Sequence, residues 1–250
     1  MNAALQGVVI AAVLAFCRVG SCFMLMPGLS SARVPVLVRL FVALAATGAL
    51  LIHLWSTIAP FAMRQPAMLL ALVISEILIG SLIGLMARLY VLALQFMATG
   101  IANLIGYGAL SGVAIEDNEQ QGALATIITF SALMLLFAFD FHHEIIKALV
   151  MSYDFAPMSV AFNPQSALVD MTDTISESFM VMIRLGSPFI AYAILVNLGI
   201  GFVNKLVPQI PVYFISLPFV IAGGLIILYF AIPTLLSLFA DGFVDITVGR

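Results

Sequence analysis

The sequence predicts an all-α integral membrane protein built from about six long apolar helical segments, and three observations carry that prediction. Sixty-four per cent of the 250 residues are hydrophobic and 8% are charged, whereas a soluble domain carries about 25% charged residues. The mean hydropathy is +1.21. The apolar residues also gather into runs of about 20 or more, the length that crosses a hydrocarbon core roughly 30 Å thick. A water-facing surface cannot be assembled from so few charges, so lipid or other apolar protein must be the main solvent for this chain.

The first segment spans 5–26 and closes at Pro27-Gly28. The residues ahead of it lack a positively charged stretch, so no cleavable signal peptide is expected. Cys17 and Cys22 lie inside it. Their spacing matches no metal motif, and on a helix they point in different directions, so they read as small buried side chains. The second segment, 36–59, stops at Pro60. The third, 66–104, is too long for one crossing at 1.5 Å per residue. It contains no obvious turn, and it carries Glu76, Arg88 and Gln95 at membrane depth. The fourth covers 123–150 and runs into a polar loop from Ser152 to Asp173. The fifth covers 175–205, and after Pro208 to Pro211 the sixth covers 212–240. Proline and glycine are the expected punctuators. Without an internal repeat or low-complexity tract, one membrane-embedded domain over 1–250 is the expectation.

Charge placement adds a second message. If all six segments cross, one side of the membrane receives Arg33, Arg39 and Lys205, and the other Arg64, Lys147 and Arg250. Real topologies are usually biased. A tie points to helices buried in a protein assembly rather than in lipid. The basic residues are scattered and the formal net charge is −3, which argues against nucleic acid as a partner.

Chemistry-bearing motifs are sparse. Asp140, His142, His143 and Glu144 could bind a metal or relay protons. Adjacent histidines on a helix diverge by about 100°, however, and the one-turn spacing of H-E-x-x-H is missing. The cluster reads instead as the polar cap of a long apolar helix, with Asp140, Glu144 and Lys147 as i,i+4 and i,i+3 neighbours. Arg18, Glu76, Arg88 and Arg184 sit in apolar sequence. Glu76 and Arg88 lie about 120° apart around one helix, so each is expected to pair with another helix or with a partner subunit. Gly80 and Gly84 form a small-xxx-small pair that permits close helix approach, and Gly108 and Gly112 repeat the spacing. No nucleophile with a base, phosphate loop or dinucleotide fingerprint appears. No enzyme, cofactor or metal is expected.

Taken in order, several stretches resemble the FliR family of flagellar type III export-gate subunits. Arg18 with Pro27-Gly28, Pro35 and Arg39 is similar to the family's opening pattern. Glu76, Gly80, Gly84 and Arg88 resemble its G-E-x-x-x-G-x-x-x-G stretch and trailing arginine. His142 and His143, then Ala148, Leu149, Ser152 and Pro157, resemble its G-H-H segment. Asn197, Gly199, Gly201, Pro208, Gln209 and Pro218 resemble its C-terminal signature. Three departures stand out: Pro211 in place of an asparagine, Phe141 in place of the glycine before the histidines, and the acidic, amide-rich run 116–122.

The resemblance implies a core gate subunit assembled with FliP-like and FliQ-like chains into a conical helical complex, with some of its helical segments as bent hairpins buried in that assembly. FlhB-like and FlhA-like components would stand alongside, in the bacterial inner membrane at the flagellar basal body. Within the single domain it implies a FliP-like part over about 1–205 and a FliQ-like part over about 206–250. Unfolded export substrates would pass through the cone. Gly106, Tyr107, Gly108, Leu110, Gly112, Val113 and Ile115 would form a loop plugging the pore. The buried charges Arg18, Glu76, Arg88 and Arg184 would serve assembly. Alternatives are the equivalent subunit of a virulence injectisome, a small secondary transporter using Glu76, Asp140 and His142, and a membrane enzyme with Asp140, His142 and Glu144 as ligands.

Overall fold

A computed structural model describes residues 2–31, 34–62, 65–107, 122–159 and 162–248, and its regular elements are all helices. These are α1 (Asn2–Leu25), α2 (Val36–Ile58) with a 3-10 turn at Ala59–Phe61, and α3 (Pro66–Leu104). Then follow α4 (Ala123–Ala138), α5 (Phe141–Phe155), α6 (Pro164–Leu206) and α7 (Val212–Val248). Five are long and apolar enough to cross a membrane, and a sixth span results if α4 and α5 count as one bent crossing. This is a multi-pass membrane architecture.

Local chemistry explains most boundaries. Pro66 and Pro164 open α3 and α6 at the first helical position, where proline's missing N–H is an orphan donor anyway. Ahead of α2, the Arg39 guanidinium donates back to the carbonyls of Ser31 and Val34 and so fastens the turn. Gly106, with φ +76°, ends α3 as Tyr107 N–H donates to the Ala102 carbonyl at 2.8 Å. That left-handed conformation suits glycine.

Several boundaries differ from the sequence expectation: α5 runs to Phe155 and α7 to Val248, past the expected ends at 150 and 240, and two further differences have a local cause. The fifth segment does not begin near 175. Asn163 accepts from the Gln165 N–H through Oδ1 at 3.0 Å, so α6 starts at Pro164 and takes in the polar stretch with Asp170 and Asp173. The sequence reads as a polar loop there, yet Asp170 and Asp173 lie past the first turn of α6 and are both exposed, so a helix through this stretch buries neither charge. The fourth segment is not one helix either. It breaks at Phe139 and Asp140, and Asp140 adopts φ +55°, the one positive φ outside glycine among the described residues.

The chain divides into two compact units, neither of them a single stretch of sequence. One comprises Met1–Tyr90, Asp140–Thr174 and Phe243–Arg250; the other comprises Val91–Phe139 and Ile175–Gly242. In the first unit α1 packs on α2 around Ala11, Leu14, Ala15, Leu54 and Ile58, with Tyr153 and Met158 completing the cluster. Phe243 meets Tyr90 and Phe141 edge-on, both at 5.8 Å. In the second unit Met182, Leu185, Phe189 and Ala193 form the buried stripe of α6. Gly186 lies against Met97, and Gly224 lies where a Cβ would come within 2.5 Å of Ile105.

Candidate functional site

The chemistry concentrates where α1, α3 and α5 meet in the first unit. A side chain on Gly80 would collide with the Arg18 carbonyl oxygen and Ser21 Oγ, and one on Gly84 would lie 2.6 Å from the Cys22 carbonyl oxygen. The small-xxx-small pair therefore lets the α3 backbone ride directly on α1. This close approach sets Glu76, one turn before Gly80, against Arg18.

The two side chains are 1% and 0% exposed and form a bidentate pair, Nε to Oε2 and Nη2 to Oε1, both at 2.7 Å. Arg18 also donates from Nη1 to Ser152 Oγ at 3.0 Å and from Nη2 to the Ala156 carbonyl at 2.9 Å. Ser152 can accept because its own hydroxyl hydrogen goes to the Leu149 carbonyl at 2.6 Å. The Tyr153 ring lies 3.9 Å from the guanidinium carbon, a cation–π position. Two hydrogen bonds to the Glu76 carboxylate, two to neutral oxygens and one aromatic ring thus compensate a cation in a place water does not reach. Removing one member of such a pair costs about 3–5 kcal/mol, because the other is left as an uncompensated buried charge.

The predicted assembly charges separate into three environments. Arg18 and Glu76 are joined, so the expectation that Glu76 pairs with another helix holds. Its partner is in its own chain, so it is not a charge waiting for another subunit. Arg88 is half-buried and also engaged within the chain. Arg184 is exposed rather than buried. It sits two residues from Met182, about 200° around α6 from the stripe of Met182, Leu185 and Phe189 that faces inward. Ser152, Tyr153 and Ala156 complete the site without any local sequence signal. Their distance from Arg18 along the chain exceeds 130 residues. Cys22 is buried as expected, whereas Cys17 is only half-buried; both are free thiols.

At the start of α5, Asp140 Oδ1 lies 3.7 Å from His142 Nε2 and 3.9 Å from His143 Nδ1. Glu144 and Lys147 form the expected i,i+3 pair at 3.6 Å. Of the residues expected to form a plug, Gly106 and Tyr107 close α3, while Gly108, Leu110, Gly112, Val113 and Ile115 lie outside the described residues. Gly106 also lines a cavity of about 530 Å³ in the second unit with Phe96, Asn103, Asn197 and Tyr213.

A family model described as "Bacterial export proteins, family 1" matches residues 9–246. The chain belongs to this family. Its relatives include the "Flagellar biosynthetic protein FliR" of Caulobacter vibrioides, 29% identical over 235 residues that cover 92% of this chain and 91% of the relative. The protein of the same name from Aquifex aeolicus is 27% identical over 93% of this chain and 89% of its own length. That from Bacillus subtilis is 24% identical over 86% and 83%. Both the Arg18–Glu76 pair and the Asp140–His143 cluster lie within the matched residues 9–246.

Proposed function

We propose that this chain is a core, non-enzymatic subunit of the flagellar type III export gate, helping to form and close the channel through which unfolded flagellar proteins leave the cell. One observation carries the reading: the export-protein family matches almost the whole chain, 9–246, and the relatives above bear a flagellar biosynthetic name over roughly their full lengths. That naming favours the flagellar system over a virulence injectisome. The transporter reading loses one of its three residues, because Glu76 is held in a bidentate pair with Arg18.

In this reading the chain works in the bacterial inner membrane at the basal body, with FliP-like, FliQ-like, FlhB-like and FlhA-like partners. Residues from about 206 onward take the FliQ-like role, and the rest the FliP-like role. The loop from Gly106 through Ile115 closes the pore. Support for the loop comes from its glycines and its small apolar residues, which would keep a constriction dry, and from Gly106, which turns the chain out of α3.

The test is a chromosomal deletion complemented with tagged chain. Restored motility and co-purification of FliP-like and FliQ-like subunits are expected. A motile deletion strain, or a chain that purifies as a monodisperse monomer transporting a solute, overturns the proposal. Deleting Leu110 to Ala114 should increase ion leakage through an assembled gate, and an assembled deletion gate as tight as wild type removes the plug.

A further inference from the structure

The start of α5 brings together a ligand set that the linear sequence argues against. Adjacent histidines on a regular helix diverge, yet the rings of His142 and His143 lie 4.4 Å apart and only 37° from parallel. Asp140 stands at the N-cap position but makes no side-chain capping bond. The first turn is closed instead by the backbone, His143 N–H to the Asp140 carbonyl at 2.8 Å. With φ +55°, Asp140 turns its carboxylate onto the two imidazoles rather than onto the helix N–H groups. One ligand atom from each of the three side chains lies within 4.8 Å of the others.

We propose that Asp140, His142 and His143 form a binding site for a divalent transition metal ion of the zinc class, a site separate from the Arg18–Glu76 pair. Two imidazole nitrogens and one carboxylate oxygen are a donor set such ions accept, with water completing four-coordination. Ligand atoms around a tetrahedral zinc ion stand roughly 3.4 Å apart for bonds of 2.0–2.2 Å. The carboxylate-to-imidazole separations of 3.7 and 3.9 Å need only small side-chain rotations to close. His143 and Asp140 are well exposed, so they are free to rotate and an ion can enter from solvent. The N-terminal end of the α5 dipole opposes a cation. The Asp140 carboxylate supplies the nearest negative charge against it, and Glu144 stands one turn further along, drawn to Lys147 at 3.6 Å. A bound ion would tie the first turn of α5 to the break that precedes it. Its role would be to stiffen that corner, not to run a reaction.

The experiment uses the full chain purified in detergent with its co-purifying subunits, stripped of metal and titrated with Co²⁺. Wild type is expected to develop the visible absorption of low-symmetry cobalt, displaced by Zn²⁺, and zinc is expected to raise its melting temperature. Both signals should be lost in the His142→Ala/His143→Ala double variant and in Asp140→Asn. Asp140→Gly is the folding control: glycine adopts the left-handed conformation readily, so this variant should assemble and melt normally yet show neither signal. Wild type without a cobalt band, or a band that persists in the double variant or in Asp140→Asn, overturns the site.

Discussion

The α1–α3–α5 junction and the exposed arm of α6 and α7 solve opposite problems in the same apolar sequence. At the junction a full charge pair is buried, and every contact it needs comes from its own chain. Along α6 and α7 the reverse holds: Leu195, Leu206, Phe214, Phe219 and Phe230 are each more than 70% exposed. A charge in a low-dielectric setting must be compensated before the chain can be stable, whereas an apolar face waits at no cost in lipid or for another protein surface. The difference separates what the chain does for itself from what it offers to an assembly.

The largest expected effect breaks the junction. Glu76→Leu leaves the Arg18 guanidinium buried without a counter-charge, a loss of about 3–5 kcal/mol. The protein level in membranes and recovery of the assembled complex should both collapse. Replacing both residues by methionine should restore much of that loss, since a buried ion pair exchanged as a unit for apolar side chains is often neutral. A double variant as unstable as the single one would mean that the pair stabilises by more than mutual compensation. Glu76→Gln retains an acceptor for the guanidinium and should lose about 1.5–3 kcal/mol, with assembly and motility weakened but present. Normal assembly with export abolished would point instead to proton transfer at Glu76.

A matched glycine pair sharpens the comparison at the next level. Gly80→Leu forces a side chain into the α1 backbone and should cost at least about 1–3 kcal/mol, read as a lower melting temperature of the detergent-solubilised complex. Gly199→Leu on α6, where a Cβ meets nothing within 4 Å, should stay within about 0.5 kcal/mol. On the exposed arm, Phe214→Ala and Phe219→Ala should leave the chain's own melting nearly unchanged while reducing the yield of co-purified subunits. If those changes melt the chain instead, the arm is part of its own core. The smallest effect belongs to Tyr153→Phe. The Tyr153 hydroxyl is buried without a hydrogen-bond partner and the ring is what faces Arg18, so stability should be close to neutral.

Composition and apolar run length by themselves determined the membrane class, the helical fold and most helix positions, because a chain in lipid must satisfy its backbone within each segment and every spanning segment must be long. The glycine spacing at Gly80 and Gly84 marked the surface for a close approach, and the charges Arg18 and Glu76 announced themselves by being in the wrong solvent. Their pairing was not legible. It joins residues 58 positions apart, with Ser152 and Ala156 more than 130 positions from Arg18, and only the packing of three helices decides which buried charge meets which. The α6 start at Pro164 depended on one side-chain cap at Asn163. The approach of Asp140 to His142 and His143 depended on a left-handed break just ahead of α5, where helical periodicity no longer places the side chain. Periodicity and hydropathy are local quantities, so they locate the helices, while partnership between side chains distant in sequence is a property of how those helices pack.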